Sequence, residues 1–204
     1  MGIRETKRIA RRTAIEDAGL RLFLDDGYDR ASVERIAAAV GIARGTFYLY
    51  YEDKQALFHA LCEQLYAPIV GAIDATAEAL RNAASPQEQQ LLFLQMAANL
   101  AGLAPTLRPL LMLHFREAHS AGPSGEVVGL WTSRLQERAE TILTDARSRG
   151  LIRDHDVRTV ALAIIGAVER LTWAWLNDES RVYRDTVALE LSTVFFRGIH
   201  PDES

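Results

Sequence analysis

A single cysteine, Cys62, stands in 204 residues, so no intrachain disulfide and no cysteine-built metal cluster can form. No segment alternates apolar and polar residues at the period of a strand, and there is no internal repeat. Uncharged apolar runs long enough to span a bilayer are missing, and the amino terminus, GIRETKRIARR, lacks the apolar core of a signal peptide. These absences point to the cytoplasm, away from any membrane. The marks of common catalysts are missing too: no glycine-rich phosphate loop, no nucleophile elbow and no paired-carboxylate motif. His114, Glu117 and His119 come nearest to a metal cluster, but the spacing is neither His-Glu-x-x-His nor Glu-x-x-His, and only the first two share a helical face. The triplet Asp154, His155 and Asp156 reads as a helix start rather than acid-base chemistry. No metal, no cofactor and no enzyme activity are expected.

What is present is helical. The chain is rich in alanine, leucine, arginine and glutamate, and its six prolines fall mostly where helices should begin. Helix 1 is predicted over 5–26, with Ile15, Ala18, Leu22 and Phe23 as its apolar stripe and Gly27 as its stop. The stretch 31–58 carries the functional signal. Ser32 is a good N-cap, and Val33, Ile36, Ala37 and Val40 follow at the spacing of one apolar helical face. Gly41 sits where a helix must stop and the chain turn sharply, with Ile42 at the corner, and a second short helix should start near Ala43. On it Arg44, Gly45, Tyr48 and Leu49 share one face while Phe47 points back toward helix 2. A guanidinium, a phenol and an isobutyl group with no acid among them suit guanine edges, phosphates and thymine methyls in a major groove.

The net charge is −4, which argues against generic nucleic-acid binding. Its distribution is uneven. Residues 1–54 hold ten Lys or Arg against nine Asp or Glu, and Arg4, Lys7, Arg8, Arg11 and Arg12 face one local acid, Glu5. Such a cluster can neutralise phosphates, enter a minor groove, or simply be a solvated helix start.

The series Leu22, Phe23, Gly27, Tyr28, Ser32, Val33, Ile36, Ala37, Gly41, Ile42, Gly45, Thr46, Tyr48, Tyr51, Lys54 and Leu57 resembles the amino-terminal domain of the tetracycline-repressor (TetR) family, over about the first third of the chain. The resemblance implies that Arg44, Gly45, Tyr48 and Leu49 face bases or the groove wall, and that Thr46, Tyr50 and Lys54 meet phosphates. One departure is Ala43, where the family often has a serine able to cap the reading helix; losing such a cap costs about 1 kcal/mol.

Beyond it, helix 4 should begin at Asp53 and run on long, bent at Pro68. Ser85-Pro86-Gln87-Glu88 reads as a capping box opening helix 5, to about Gly102. Pro105 and Pro109 should then break the chain into shorter helices. Helix 7 is predicted over 126–149, helix 8 after Asp154 and helix 9 over 187–196. Helices 8 and 9 are too apolar for the surface of a monomer, and Ala161, Ala163, Gly166 and Ala167 would let another helix approach, so a homodimer through about 155–198 is favoured.

The expected architecture is all-α: a helix-turn-helix DNA-binding domain over 9–69, with the motif at 32–51, joined by a long helix to a helical-bundle domain over 70–204. The expected function is that of a dimeric, sequence-specific transcriptional regulator binding a double-stranded operator, relieved by a small-molecule effector as the resemblance implies. Met96, Met112, His114, Phe115, Trp131 and Trp173 are the candidate effector-lining residues, mixing apolar walls with a few polar groups. A helical adaptor without DNA binding, or an enzyme of unrecognised type, is the alternative reading.

Overall fold

In the computed structural model, residues 2–83, 85–177, 189–191, 193–195 and 198 are described. Every regular element among them is an α-helix: α1 (Ile3–Asp26), α2 (Val33–Val40), α3 (Arg44–Phe47), α4 (Lys54–Asn82), α5 (Pro86–Glu117), α6 (Pro123–Ser148) and α7 (Val157–Asn177). Residues 189–191 and 193–195, within the expected helix 9, are helical as well, whereas its positions 187, 188, 192 and 196 lie outside the described residues.

The start signals act as the sequence leads one to expect. Ser32 Oγ accepts from the Arg35 amide at 3.3 Å, Asp53 Oδ1 from Ala56 at 2.7 Å, Ser85 Oγ from Glu88 at 3.2 Å and Asp156 Oδ1 from Thr159 at 2.7 Å. Each fills an orphan donor of a first helical turn. Pro68 lies inside α4 without ending it. Pro105 and Pro109 do not break the chain either: α5 is one helix of 32 residues, which corrects the expected division. Proline removes only the amide that would reach four residues back, so the carbonyls released are those of Ala101 and Pro105, one turn apart on one face. The other faces keep their ladder.

By length and composition alone, α4 and α7 are each apolar enough to cross a membrane. Charges interrupt both runs, Glu63 in α4 and the Glu169-Arg170 pair in the middle of α7. Ionised pairs at mid-helix are costly in hydrocarbon.

The chain divides into two compact units, Met1–Tyr66 with Pro109–Trp131, and Ala67–Arg108 with Thr132–Ser204. The first unit takes in the second part of α5 and the start of α6 as well as α1 to α3 and the first part of α4. Its core is aromatic and aliphatic: Phe23, Tyr28 and Phe58 form a triangle with centroids 5.2–5.6 Å apart, beside the fully buried Ile15, Ile36, Phe47 and Leu57. Side chains of this size each contribute about 1.5–3 kcal/mol when buried. Cys62 belongs to this core, where burial pushes its thiol up to about 12. In the second unit Leu143, Ile152 and Ala161 form a smaller cluster joining the end of α6 to α7.

Candidate nucleic-acid interface

The geometry of the reading helix follows from one turn and one anchor. Gly41 has φ 70° and ψ 37°, a left-handed conformation that costs a side-chain-bearing residue but not glycine, and Ile42 N–H closes the turn on Ala37 O at 3.0 Å. Phe47 is fully buried, with Tyr51 6.0 Å away ring to ring. Anchoring Phe47 inward turns the opposite side of α3 and of the turn that follows it outward: Leu49 is 80% exposed, Tyr48 is 44% exposed, and Arg44 and Gly45 are exposed beside them. As the sequence implied, Ala43 gives α3 no side-chain cap.

Arg44 does not hang free. Its Nε and Nη2 donate to the Tyr48 hydroxyl at 3.2 and 3.0 Å, and Nη1 pairs with Glu34 of α2 at 2.9 Å. Tyr48 thus presents its phenol with a guanidinium already docked on it. Both partners of the ion pair are more than half exposed, and such pairs contribute about 0–1 kcal/mol, so the guanidinium is held but can be exchanged.

Thr46 and Tyr50 lie around the corner of the helix, half-buried, where they line an open groove with Gly41, Ile42, Ala43 and four cations of α1, Arg4, Lys7, Arg8 and Arg11. The basic residues that the sequence left as an arm or a helix start are therefore on a helix, placed along the side of the turn. Arg12, the fifth, is held along the helix by Glu16 and Tyr51 instead. Its Nε donates to Glu16 at 2.9 Å and to the Tyr51 hydroxyl at 3.1 Å, while Tyr51 in turn donates to Glu16. Burial, together with the Glu16 carboxylate, pushes the Tyr51 phenol up to about 12, so it stays protonated as that donor. The network ties α1 to the chain after α3.

Lys54 has a different occupation from the one expected of it. Its ammonium donates to the carbonyls of Tyr28, Asp29 and Ala31 at 2.9, 3.2 and 3.2 Å, and lies 4.3 Å from the Tyr28 ring centroid. An ammonium has three donors, and all three are spent on the turn between α1 and α2. This geometry makes the side chain a structural clamp on that turn.

The same turn is held from a second side, by residues the sequence did not single out for it. Arg116 Nη1 donates to Leu24 O at 2.5 Å, and Glu117, 6% exposed, accepts from the Tyr28 amide at 3.4 Å and from Ser124 Oγ at 2.7 Å. Gly27, with φ 88°, leaves room for the Arg116 guanidinium, which would lie 3.2 Å from any Cβ there. Glu117 sits 89 residues from Tyr28, so no local pattern could have revealed the pairing. Its place in the metal-like group is taken by these two donors.

The six residues expected around an effector do not come together. His114 shares a 2.6 Å hydrogen bond with the Tyr66 hydroxyl, Tyr66 stacks on Trp131 at 5.2 Å with planes 1° apart, and Phe115 meets His114 edge-on at 4.7 Å. These form one aromatic cluster in the first unit. Burial, with the neighbouring His119, pushes His114 down to about 4, so the imidazole is neutral. Met112 is 46% exposed, and Met96 and Trp173 belong to the other unit, Trp173 being 43% exposed.

Against this geometry the likenesses to known proteins are specific. A family model described as bacterial regulatory proteins, tetR family, matches residues 15–61, from the middle of α1 to the first turns of α4. Over 191 residues, 91% of this chain and 94% of that protein, the sequence is 24% identical to the fatty acid metabolism regulator protein of Bacillus subtilis. Residues 15–61 thus carry a TetR-family domain. Among the relatives is an HTH-type transcriptional repressor of Mycobacterium tuberculosis, 40% identical over 62 residues; that match covers 30% of this chain and spans 33% of the repressor's length. Among solved structures, SmeT in complex with triclosan superimposes with a TM-score of 0.77 at 20% identity, covering 95% of this chain and 93% of that one; SmeT is the repressor of the Stenotrophomonas maltophilia multidrug efflux pump SmeDEF. The likeness to SmeT bears on the fold, and the likeness in sequence is concentrated where α1 to α4 build the reading surface. The chain is a DNA-binding transcriptional regulator.

Proposed function

We propose that this regulator is a repressor that binds a two-fold operator as a homodimer, releases it when an apolar small molecule binds, and works in the cytoplasm. The observation that carries the DNA reading is the exposed Arg44, Tyr48 and Leu49 face, free of acids on its own helix and flanked by the groove of Arg4, Lys7, Arg8 and Arg11. Base-edge donors at the centre and phosphate-seeking cations at the side are what a major-groove reader needs. Thr46 and Tyr50 line that groove and supply hydroxyl donors to the backbone.

Support for the homodimer comes from α7. Leu162 is 50% exposed, Trp173 is 43% exposed, and a Cβ placed on Gly166 between them would meet nothing within 4 Å. These positions lie four and seven residues apart on one side of the helix, with Glu169 between the last two: exposed apolar side chains and a small residue where a partner helix could approach. An effector of low polarity is supported by the relatives, whose names speak of fatty acid metabolism and of a triclosan complex. No catalytic role is assigned.

Selecting bound fragments from random duplex DNA tests the reading and returns the operator at once. A palindrome with half-sites about one helical turn apart is expected. Retention of no fragment at low salt would overturn it in favour of a helical adaptor.

A further inference from the structure

The second unit contains a cavity of about 160 Å³ between the last turns of α4, the first turns of α5, the end of α6 and the segment after it. None of the six residues expected around an effector lines it. Its walls are apolar: Leu80, Phe93, Ile142, Leu143 and Ile152, the last two belonging to the cluster that joins α6 to α7.

One wall residue does not fit an empty core. Gln89 is 4% exposed, yet its amide nitrogen has no hydrogen-bond partner among the described residues. Leaving a buried donor unmade costs more than a hydrogen bond gains, so such a group is expected to have a partner that the chain does not itself supply. Helix α5 puts it there without choice: Ser85 caps the helix through Glu88, and the next residue, Gln89, faces inward.

The charged groups around the cavity are already matched. Arg149 donates to Leu80 O at 2.8 Å and Ala83 O at 3.1 Å and pairs with Asp145 at 3.4 Å, Arg81 pairs with Glu78, and Thr141 donates to Glu137 O at 2.8 Å. Among the described residues that line the cavity, both cations, Arg81 and Arg149, are thus already paired. The remaining specificity is one amide donor over an apolar surface. In volume the space resembles cavities of about 150 Å³ that admit a single benzene ring, and it is too small for a long acyl chain.

We propose that this cavity is a binding site for a neutral, single-ring aromatic molecule carrying one hydrogen-bond acceptor, a ketone, aldehyde or amide, which the Gln89 amide would hold. The inference stands apart from the DNA reading, because it concerns a ligand on the protein alone.

Calorimetric titration and thermal denaturation of the full chain without DNA test it, using acetophenone, toluene and benzoate as probes. Acetophenone is expected to bind roughly five- to ten-fold more tightly than toluene, the worth of one hydrogen bond, with benzoate weaker than both. Gln89→Leu should bind acetophenone and toluene alike. It should also raise the unfolding temperature, because an isosteric apolar group replaces an unmatched donor. Ala77→Leu, which fills the cavity from α4 with a good helix former, should bind neither probe while still unfolding cooperatively. Absence of saturable binding by the unaltered protein, a preference for acetophenone that survives in Gln89→Leu, or benzoate binding more tightly than acetophenone would each overturn the proposal.

Discussion

Arg44 shows what a single side chain can carry. Its guanidinium is held by Tyr48 and Glu34 on the outer face of α3, and Arg44→Ala should lower affinity for the preferred operator by about 1–3 kcal/mol while relaxing the preference at one guanine per half-site. Quantitative retardation on the operator and its single-base variants measures this, and an equal loss on every sequence would contradict a base-reading role. Lys54 should behave otherwise. With its ammonium on three carbonyls, Lys54→Met is expected to lower stability by roughly 1–3 kcal/mol in urea unfolding while leaving the salt dependence of DNA binding unchanged. The first side chain was legible because four-residue spacing on a short helix fixes which groups share a face. The second was not, since its partners lie 23 to 26 residues away on a turn whose shape only the folded chain determines. His114 gives a pH signature. Folded, it stays neutral down to about pH 4, whereas an unfolded imidazole takes its proton near 6.5. Between those values the unfolded chain binds more protons, so stability should fall as pH drops through that window, by roughly 1.4 kcal/mol per unit at most. Urea midpoints at about pH 7 and pH 5 measure it, and His114→Gln should flatten the difference.

Among the elements, α2 and α3 were readable nearly residue by residue because a cap, a positive-φ glycine and an apolar spacing all agree there. Helix α5 was not. Pro105 and Pro109 are strong breakers in isolation, and what overrides them is that one helical turn separates them, so the damage falls on one face. The unbroken helix carries Arg116 and Glu117 to the turn between α1 and α2, which a chain broken at Pro109 would not position. Glu117→Leu removes the acceptor of both the Tyr28 amide and Ser124 Oγ, and each donor left unmade costs about 1–3 kcal/mol. Hydrogen exchange at the Tyr28 amide should therefore speed up even where the rest of the first unit keeps its protection. Protection unchanged at that amide would show that α5 does not hold the turn.

For the whole molecule, the telling feature is the exposed side of α7 that carries Leu162, Gly166 and Trp173. The sequence disclosed its composition and its small residues, but not which of them would remain outward once Ala161, Trp175 and Leu176 had taken the buried side. Gly166→Glu would place an unpaired charge at the point of closest approach between two such helices, and the homodimer should dissociate. Size exclusion with light scattering reads the outcome; a dimer unchanged by the substitution would move the seam elsewhere. In such a dimer the Arg44–Glu34 pair occurs twice, once on each reading surface, and this bears on how the regulator finds its site. On arbitrary DNA a guanidinium already satisfied by a carboxylate and a phenol gains little by letting go, whereas guanine offers two acceptors at once in exchange. Arg44 should therefore add less to binding on wrong sequences than on the operator, so that removing Glu34 is expected to raise affinity for arbitrary DNA more than for the preferred site.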